Sequence, residues 1–281
     1  MRRRDFLLGA AAGVLSSGAA RADPPRVFQR DWRLPLARRV DFVDWMVVYR
    51  GEDPTLLGER FDRYQELLRF NDLWSPDDKR AFLMTPREEF VLPEDRQRAY
   101  AGHYLDIGFG VTITPPGVVG RMTSVLMIRG GEKILEVGTG SGYQSALLSY
   151  LTDRLWSIEI IPDLAARTRG VYDALIARGY REYADIATRG ADGYDGWEEA
   201  APFDKIIVTC GIDHIPPPLL RQLKPGGVMV IPVGPPGAQH VLKAVKTIGA
   251  DGVFTVTRSD IFGGVIIPFV PLSGGHQAEA E

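Results

Sequence analysis

The chain has 281 residues, 45% of them hydrophobic and 25% charged, with a formal net charge of −3. That length suffices to bury a sizeable core, as one domain with an extension or as two small ones. A mildly acidic balance without a basic run argues against nucleic acid as a partner, and beyond the first residues no apolar stretch of about 20 residues is present to hold the chain in a membrane.

The first residues, "MRRRDFLLGAAAGVLSSGAARAD", carry Arg3-Arg4 before Phe6-Leu7, a mild apolar run, and Ala20-Arg21-Ala22. A charged start, an apolar middle and a small-residue cleavage site in that order read as an export signal over residues 1–22, and the arginine pair makes it resemble a twin-arginine signal. The expectation is a periplasmic or otherwise exported protein. The alternative is a basic amphipathic start that stays attached in the cytoplasm. Cleavage after Ala22 removes four arginines and one aspartate and leaves a more acidic mature chain. The single cysteine, Cys210, excludes an internal disulfide. One thiol and four scattered histidines give no metal-ligand spacing, so no metal is expected.

Residues 23–100 read as a helical N-terminal extension. "RRVDFVDWMVVYR" and "LLGERFDRYQELLRF" repeat apolar residues three and four apart. "SPDDKRAFLMTPREEFVLP" opens with a helix-start signal and is expected to end in a short extended piece. Residues 101–281 form the second region. There "KILEVG" (133–138) predicts a buried strand, then a Gly-rich turn and the helix "YQSALLSYL". "RLWSIEI" (154–160) is a second strand, and Pro162 opens the helix "PDLAARTRGVYDALIARG" at a position where its missing N–H costs little. "ADIATRG", "FDKIIVTC", the short helix "PPPLLRQL" and "GVMVIPVG" continue the alternation. Strands alternating with helices predict a mostly parallel sheet covered on both faces. "HVLKAVKTI", "VFTVTRSDI" and "GGVIIPFVPL" are strand-like without intervening helices, so antiparallel strands should close the sheet. The fold class is α/β, a Rossmann-like domain behind a helical extension.

"EVGTGSGYQ" follows a strand and opens a helix. Gly138, Gly140 and Gly142 let the backbone bend sharply and approach a ligand, at the strand end where open α/β sheets bind. Glu159 ends the second strand about 20 residues later, where a carboxylate accepts from ribose hydroxyls. A dinucleotide fold wants G-x-G-x-x-G for its pyrophosphate. Here the sixth position is Tyr143, and the third glycine comes one residue early. S-adenosylmethionine has no pyrophosphate, and Glu136 before the turn suits that cofactor better. Glu136, Gly138, Gly140, Gly142 and Glu159 are therefore the expected cofactor-binding residues, with a plain strand-to-helix turn as the bland alternative. Asp192, just after the third strand in "GADGYDGW", is expected to accept from the adenine amino group; an Asx-turn is the competing reading.

With these pieces in place the sequence resembles the protein-L-isoaspartate (D-aspartate) O-methyltransferase family. The matching stretches are "TPREEFV" (85–91), "GVTITPP" (110–116), "ILEVGTGSGYQSALL" (134–148), "WSIEIIPDLA" (156–165), "DGYDGW" (192–197), "APFDKIIVT" (201–209), "IPPPLLRQLKPGGVMVIPVG" (215–234) and "FVPLSG" (269–274). The resemblance implies methyl transfer from S-adenosylmethionine to the α-carboxylate of isoaspartyl residues in damaged proteins or peptides. The ester then closes to a succinimide and hydrolyses partly to aspartate. A carboxylate is already ionised at neutral pH, so orientation and desolvation carry the reaction and no Ser-His-Asp or metal constellation is needed.

The family's G-Q-T-I-S-x-P pattern aligns with Gly110, Val111, Thr112, Ile113, Thr114, Pro115 and Pro116. Thr114 stands at the serine position and is implied as the group nearest the reacting carboxylate, with Thr112 and Pro116 in the acceptor wall. The alternative for both threonines is β-branched filling of an extended segment before prolines. Val111 replaces a glutamine, and Phe109 stands where the family often has a polar residue. The aromatic-rich extension reads as a lid or as added helical packing. Asp213 and His214, in "CGIDHIPP", are within reach of a substrate reading, whereas Cys210 reads as a buried small hydrophobe. A different carboxylate acceptor, or a non-catalytic cofactor-binding homologue, are the competing functions.

Overall fold

Seven strands form one sheet in the order β5-β4-β3-β6-β7-β8-β9. They are β3 (Ile134–Val137), β4 (Leu155–Glu159), β5 (Ile186–Gly190), β6 (Phe203–Val208), β7 (Leu223–Val233), β8 (His240–Ile248) and β9 (Phe254–Asp260). This computed structural model describes residues 33–249 and 252–272, so the arginine-led N-terminus and the last two residues of "FVPLSG" lie outside the described residues. The first five strands run parallel, and β8 and β9 are antiparallel, as the sequence predicts. The chain leaves β3 toward β4 on one side and returns to β6 on the other, which opens a crevice at the carboxyl end of β3.

Alternation along the strands divides the core between the two faces. Val228 and Val230 of β7 point into one buried cluster, while Met229 and Ile231 point into the other. Helices α5 (Tyr143–Ser149) and α6 (Pro162–Ala177) cover the first face, and α7 (Pro217–Gln222) packs on the second.

The described part of the extension contains α1 (Arg39–Arg50), α2 (Pro54–Arg69) and α3 (Pro76–Met84). Their boundaries follow local chemistry. Gly51, at φ +65, ends α1. Asp53 caps α2 by accepting from the N–H groups of Thr55 and Leu56. Ser75 and Asp78 form a reciprocal capping box on α3. These helices share one core with the sheet: Phe42, Met46, Leu57 and Phe61 belong to the same buried cluster as Ile134, Tyr143 and Tyr172.

Three local expectations change. The end of "TPREEFVLP" is not extended but forms 3-10 turns at Arg87–Glu89 and Pro93–Arg98. The segment "FGVTITPPGVVG" divides into a short hairpin and a helix: β1 (Leu105–Asp106) pairs with β2 (Thr112–Ile113), and α4 (Pro116–Leu126) follows. "GGVIIPFVPL" adds no full strand and makes only a bridge between Pro271 and Gly211. Pro268 and Pro271 lack the N–H a ladder needs, and Gly263 and Gly264, at φ +67 and +88, bend the chain.

Candidate active site

A cavity of about 290 Å³ opens at the carboxyl ends of β3, β4 and β6. Three segments bound it: the Gly-rich turn after β3, the hairpin carrying Phe109 to Thr114, and the C-terminal run Phe269–Leu272. The last is held in place by backbone bonds, with Gly211 N–H donating to Val270 O at 2.9 Å and Leu272 N–H to Gly211 O at 2.7 Å.

The glycines of the turn do different jobs. Gly138 and Gly140 line the cavity at φ +97 and +54. A Cβ at Gly138 would lie 2.5 Å from Thr209 Oγ1, so β6 and the turn meet only because that atom is missing. At Gly140 a Cβ would meet nothing closer than Gly138 O at 3.9 Å, which leaves the backbone bare toward the cavity. Gly142 does not line the cavity. A Cβ there would sit 2.6 Å from Tyr172 Oη and 2.7 Å from Thr168 Cγ2, so this glycine lets α5 pack against α6.

The acids also separate. Glu159 lines the cavity, its Oε2 accepting from Gly140 N–H at 2.7 Å and its Oε1 from Ile161 N–H at 3.0 Å. Each carboxylate oxygen keeps a lone pair for a ligand hydroxyl. Glu136 faces elsewhere. It sits opposite Ser157 in the β3–β4 register, and alternation turns it under α5, where it is fully buried. Its Oε2 accepts from Ser157 Oγ at 2.5 Å and from Ser145 Oγ. It is not a wall residue of the cavity, contrary to the sequence expectation, because it stands one position before Val137, and alternation that brings Val137 to the cavity turns Glu136 to the opposite face of the sheet. Asp192 likewise stands behind the wall and accepts from Tyr194 N–H at 2.9 Å, which is the turn chemistry its sequence allows. It remains close: burial, then Glu159 and Asp192, push the Cys210 thiol up to about 12, so this cavity-lining cysteine stays protonated.

Burial also pushes the Glu136 carboxyl up to about 8; the two serine hydrogen bonds oppose the shift and Glu159 adds to it. A raised carboxyl binds its proton more tightly in the folded state. The stability linked to that proton is full below about 4.5 and is lost as pH rises through about 8, at about 1.4 kcal/mol per unit within the window. Glu136→Gln, which mimics the protonated acid, is therefore expected to gain on wild type as pH rises from 6 to 9. Thermal melts at both pH values test it; a constant difference between the two proteins would contradict the assignment.

Thr112 and Thr114 both reach the cavity, as the sequence reading places them. Pro116 does not: it is buried at the first position of α4, where a fixed φ favours helix initiation. Val111 and Phe109 line the cavity and make this wall apolar. Asp213 and His214 lie outside it, His214 bonding Asp213 through Nδ1 at 2.5 Å and Tyr194 through Nε2 at 3.0 Å. Residues that motif reading did not single out, among them Tyr104, Met122, Gln144 and Leu164, complete the wall. Gln144 and Leu164 lie inside the family-matching stretches 134–148 and 156–165, whereas nothing local marks Tyr104 and Met122.

The donor set fits an adenosyl ligand without a pyrophosphate: a bare backbone turn at Gly138–Gly140, a carboxylate at Glu159, and no arginine or lysine lining the cavity. No group of three or more metal-ligating side chains occurs among the described residues.

The profile of the family described as "Protein-L-isoaspartate(D-aspartate) O-methyltransferase" matches residues 69–276. A protein-L-isoaspartate O-methyltransferase of Anaeromyxobacter dehalogenans (strain 2CP-C) is 46% identical over 187 residues, covering 66% of this chain and 84% of that one. A protein-L-isoaspartate O-methyltransferase 2 of Shewanella sediminis is 40% identical over 226 residues, covering 79% of this chain and 87% of that one. Among solved structures, a putative protein-L-isoaspartate O-methyltransferase of Plasmodium falciparum, in complex with S-adenosyl-L-homocysteine, superposes with a TM-score of 0.62. It is 20% identical and covers 75% of this chain and 97% of that one, a likeness of fold.

Proposed function

The chain belongs to the protein-L-isoaspartate (D-aspartate) O-methyltransferase family, and from that premise we propose that it methylates the α-carboxylate of L-isoaspartyl, and D-aspartyl, residues of damaged proteins or peptides. S-adenosylmethionine, when bound, supplies an electrophilic methyl group on a sulfonium sulfur. The observation that carries the reading is the shared cavity: the bare turn and Glu159 stand on one side, the Thr112–Thr114 segment on the other.

The protein's own contribution is placement. Gly138 and Gly140 present backbone to the cofactor, and Glu159, held by two backbone N–H groups, accepts from its ribose. Thr114 Oγ1 donates to the acceptor carboxylate and aims it. The apolar Val111 and Phe109 strip water from that anion, which raises its nucleophilicity. No side chain needs to take a proton, because an α-carboxyl group is ionised far below neutral pH. The products are the methyl ester and S-adenosylhomocysteine, and the ester closes to a succinimide on the way to aspartate.

Two measurements test this. Protein with S-adenosylmethionine should methylate an isoaspartyl peptide and ignore its aspartyl twin; equal inactivity on both, with cofactor bound, overturns the reading. Thr114→Val should lower turnover about 10–100-fold, the loss expected for one hydrogen bond to a charged group, while Thr114→Ser retains most of it. Cofactor affinity should barely change; an unaltered rate for Thr114→Val would reduce the residue to packing.

Export is part of the proposal. It rests on Arg3-Arg4, the apolar run and Ala20-Arg21-Ala22, which precede the family match at residue 69. Fractionation should find a shortened chain outside the cytoplasm. An unprocessed chain wholly inside it would overturn the assignment.

A further inference from the structure

We propose that Phe109 and Arg167 form a recognition pair at the mouth of the cavity, which reads a second carboxylate on the methyl acceptor beyond the one that is methylated. This rests on the isoaspartyl reading above and adds a substrate preference to it.

The pair is built by strained backbone on one side and a helix on the other. Gly108, Phe109 and Gly110 have φ of +78, +60 and +74, three consecutive left-handed residues at the tip of the β1–β2 hairpin. Glycine adopts that region freely, whereas phenylalanine there brings its Cβ too close to the following carbonyl oxygen and is strained. The hairpin holds the conformation: Gly108 N–H donates to Asp106 Oδ1 at 2.6 Å, Ile107 N–H to Val111 O at 3.1 Å, and Val111 N–H to Gly108 O at 3.2 Å. The outcome is a large apolar side chain left 47% exposed at the cavity edge instead of packed into the core. Strain kept at a binding cavity calls for a use there.

Across the mouth, Leu164 of α6 lines the cavity, and Arg167 stands one helical turn further on. Its guanidinium centre lies 5.1 Å from the Phe109 ring centroid. A Cβ at Gly108 would lie 3.5 Å from Arg167 Nη1, an ordinary contact distance, which places the guanidinium beside the hairpin tip. Hairpin and helix thus approach over the opening, with a cation–π contact between these two side chains.

A cation–π contact with a ring satisfies none of the guanidinium N–H donors by a hydrogen-bond acceptor of full strength and leaves them for another partner. The neighbouring arginines have theirs: Arg169 pairs with Asp173 at 2.5 Å and Arg178 with Glu89 at 2.9 Å. Among the described residues no carboxylate lies within ion-pair distance of Arg167. Asp106, the acid of the facing hairpin, is bonded to Gly108 N–H, and Asp163 sits one turn earlier on α6, exposed and outside ion-pair reach. A half-buried planar cation at the entrance of a carboxylate-methylating site fits a carboxylate on the incoming peptide. An acidic side chain beside the isoaspartyl residue, or the free C-terminus of a short peptide, supplies that group.

The test uses four isoaspartyl peptides of one sequence, with Glu or Gln beside the isoaspartyl residue and with a free or amidated C-terminus. Steady-state KM and kcat are measured on the full chain, on R167Q and on R167K. Wild type should show a KM about 3–10-fold lower for the carboxylate-bearing peptide of the relevant pair, falling with added salt, at similar kcat. The Glu/Gln pair and the free/amidated pair separate the two sources. In R167Q that KM ratio should collapse to about one, and R167K should fall between, because it keeps the charge without the planar fork. Turnover of all four peptides by wild type without preference, or a preference that survives in R167Q, overturns the proposal alone. No turnover of any peptide, with cofactor bound, overturns the isoaspartyl reading and this inference with it.

Discussion

Arg60→Met is expected to destabilise the protein by about 3–5 kcal/mol, the loss typical of breaking a buried ion pair from one side. Arg60 is fully buried on α2 and satisfies partners from four places in the chain. Its Nη2 donates to Glu52 Oε2 at 2.6 Å and Glu88 Oε1 at 2.8 Å, its Nη1 to Leu83 O at 2.9 Å, and its Nε to Tyr100 Oη at 2.6 Å. Tyr100 O–H donates to Glu88 Oε2, and Tyr180, beyond α6, donates to Glu52 Oε1 at 2.9 Å. Removing the cation therefore leaves Glu88 buried without its paired arginine and Glu52 with Arg50 alone, whose Nε lies 3.4 Å from Oε1. The effect should depend on that stranded charge: Glu52→Gln combined with Arg60→Met should cost less than the sum of the two single changes. Urea denaturation measures all three. A loss under about 1 kcal/mol for Arg60→Met, or strict additivity of the pair, would show that Arg60 and Glu52 do not act as one coupled buried network.

Glu159→Ala should raise the dissociation constant for S-adenosylmethionine about 100-fold or more, as two charge-assisted hydrogen bonds to a ribose are lost. A second effect adds to this. The same carboxylate accepts from Gly140 N–H and Ile161 N–H, so its removal also releases the turn that faces the cavity. Glu159→Gln keeps an acceptor but loses the charge, and should fall between alanine and wild type. Calorimetric titration of the three proteins decides it, with melting of the ligand-free forms as the control for folding. Unchanged affinity in the alanine variant would remove Glu159 from the cofactor site.

The pattern of success along the chain has a physical cause. Strands β3, β4 and β6 were legible because each is a short, largely apolar run bounded by glycine, proline or charge, and a strand buried on both faces needs nothing subtler. Capped helices such as α2 and α3 were legible for similar reasons, with Asp53 and Ser75 marking their starts. The hairpin and α4 were not. "PGVVGRMTSVL" contains two glycines, and a Cβ at Gly117 or Gly120 would meet Asp72 atoms at 3.0 and 3.2 Å. Those glycines serve close packing against the loop after α2, a partner that no local pattern names. The same holds for Gly142, whose place in the motif suggests a ligand but whose neighbours are Tyr172 and Thr168.

The sequence by itself determined the fold class, the sheet's change from parallel to antiparallel, the cofactor turn and the family, because these rest on periodicity, turn chemistry and the order of motifs. Tertiary structure alone decided which motif residues face the cavity. Glu136 is the penultimate residue of β3 and Glu159 the last of β4, yet one is turned under α5 and kept protonated by burial, while the other is aimed into the cavity by two backbone N–H groups. Phe109 and Arg167 are 58 positions apart in the numbering and meet only because the hairpin and α6 approach across the same opening. Side-chain direction and long-range contact are properties of the packed chain, and a linear pattern carries neither.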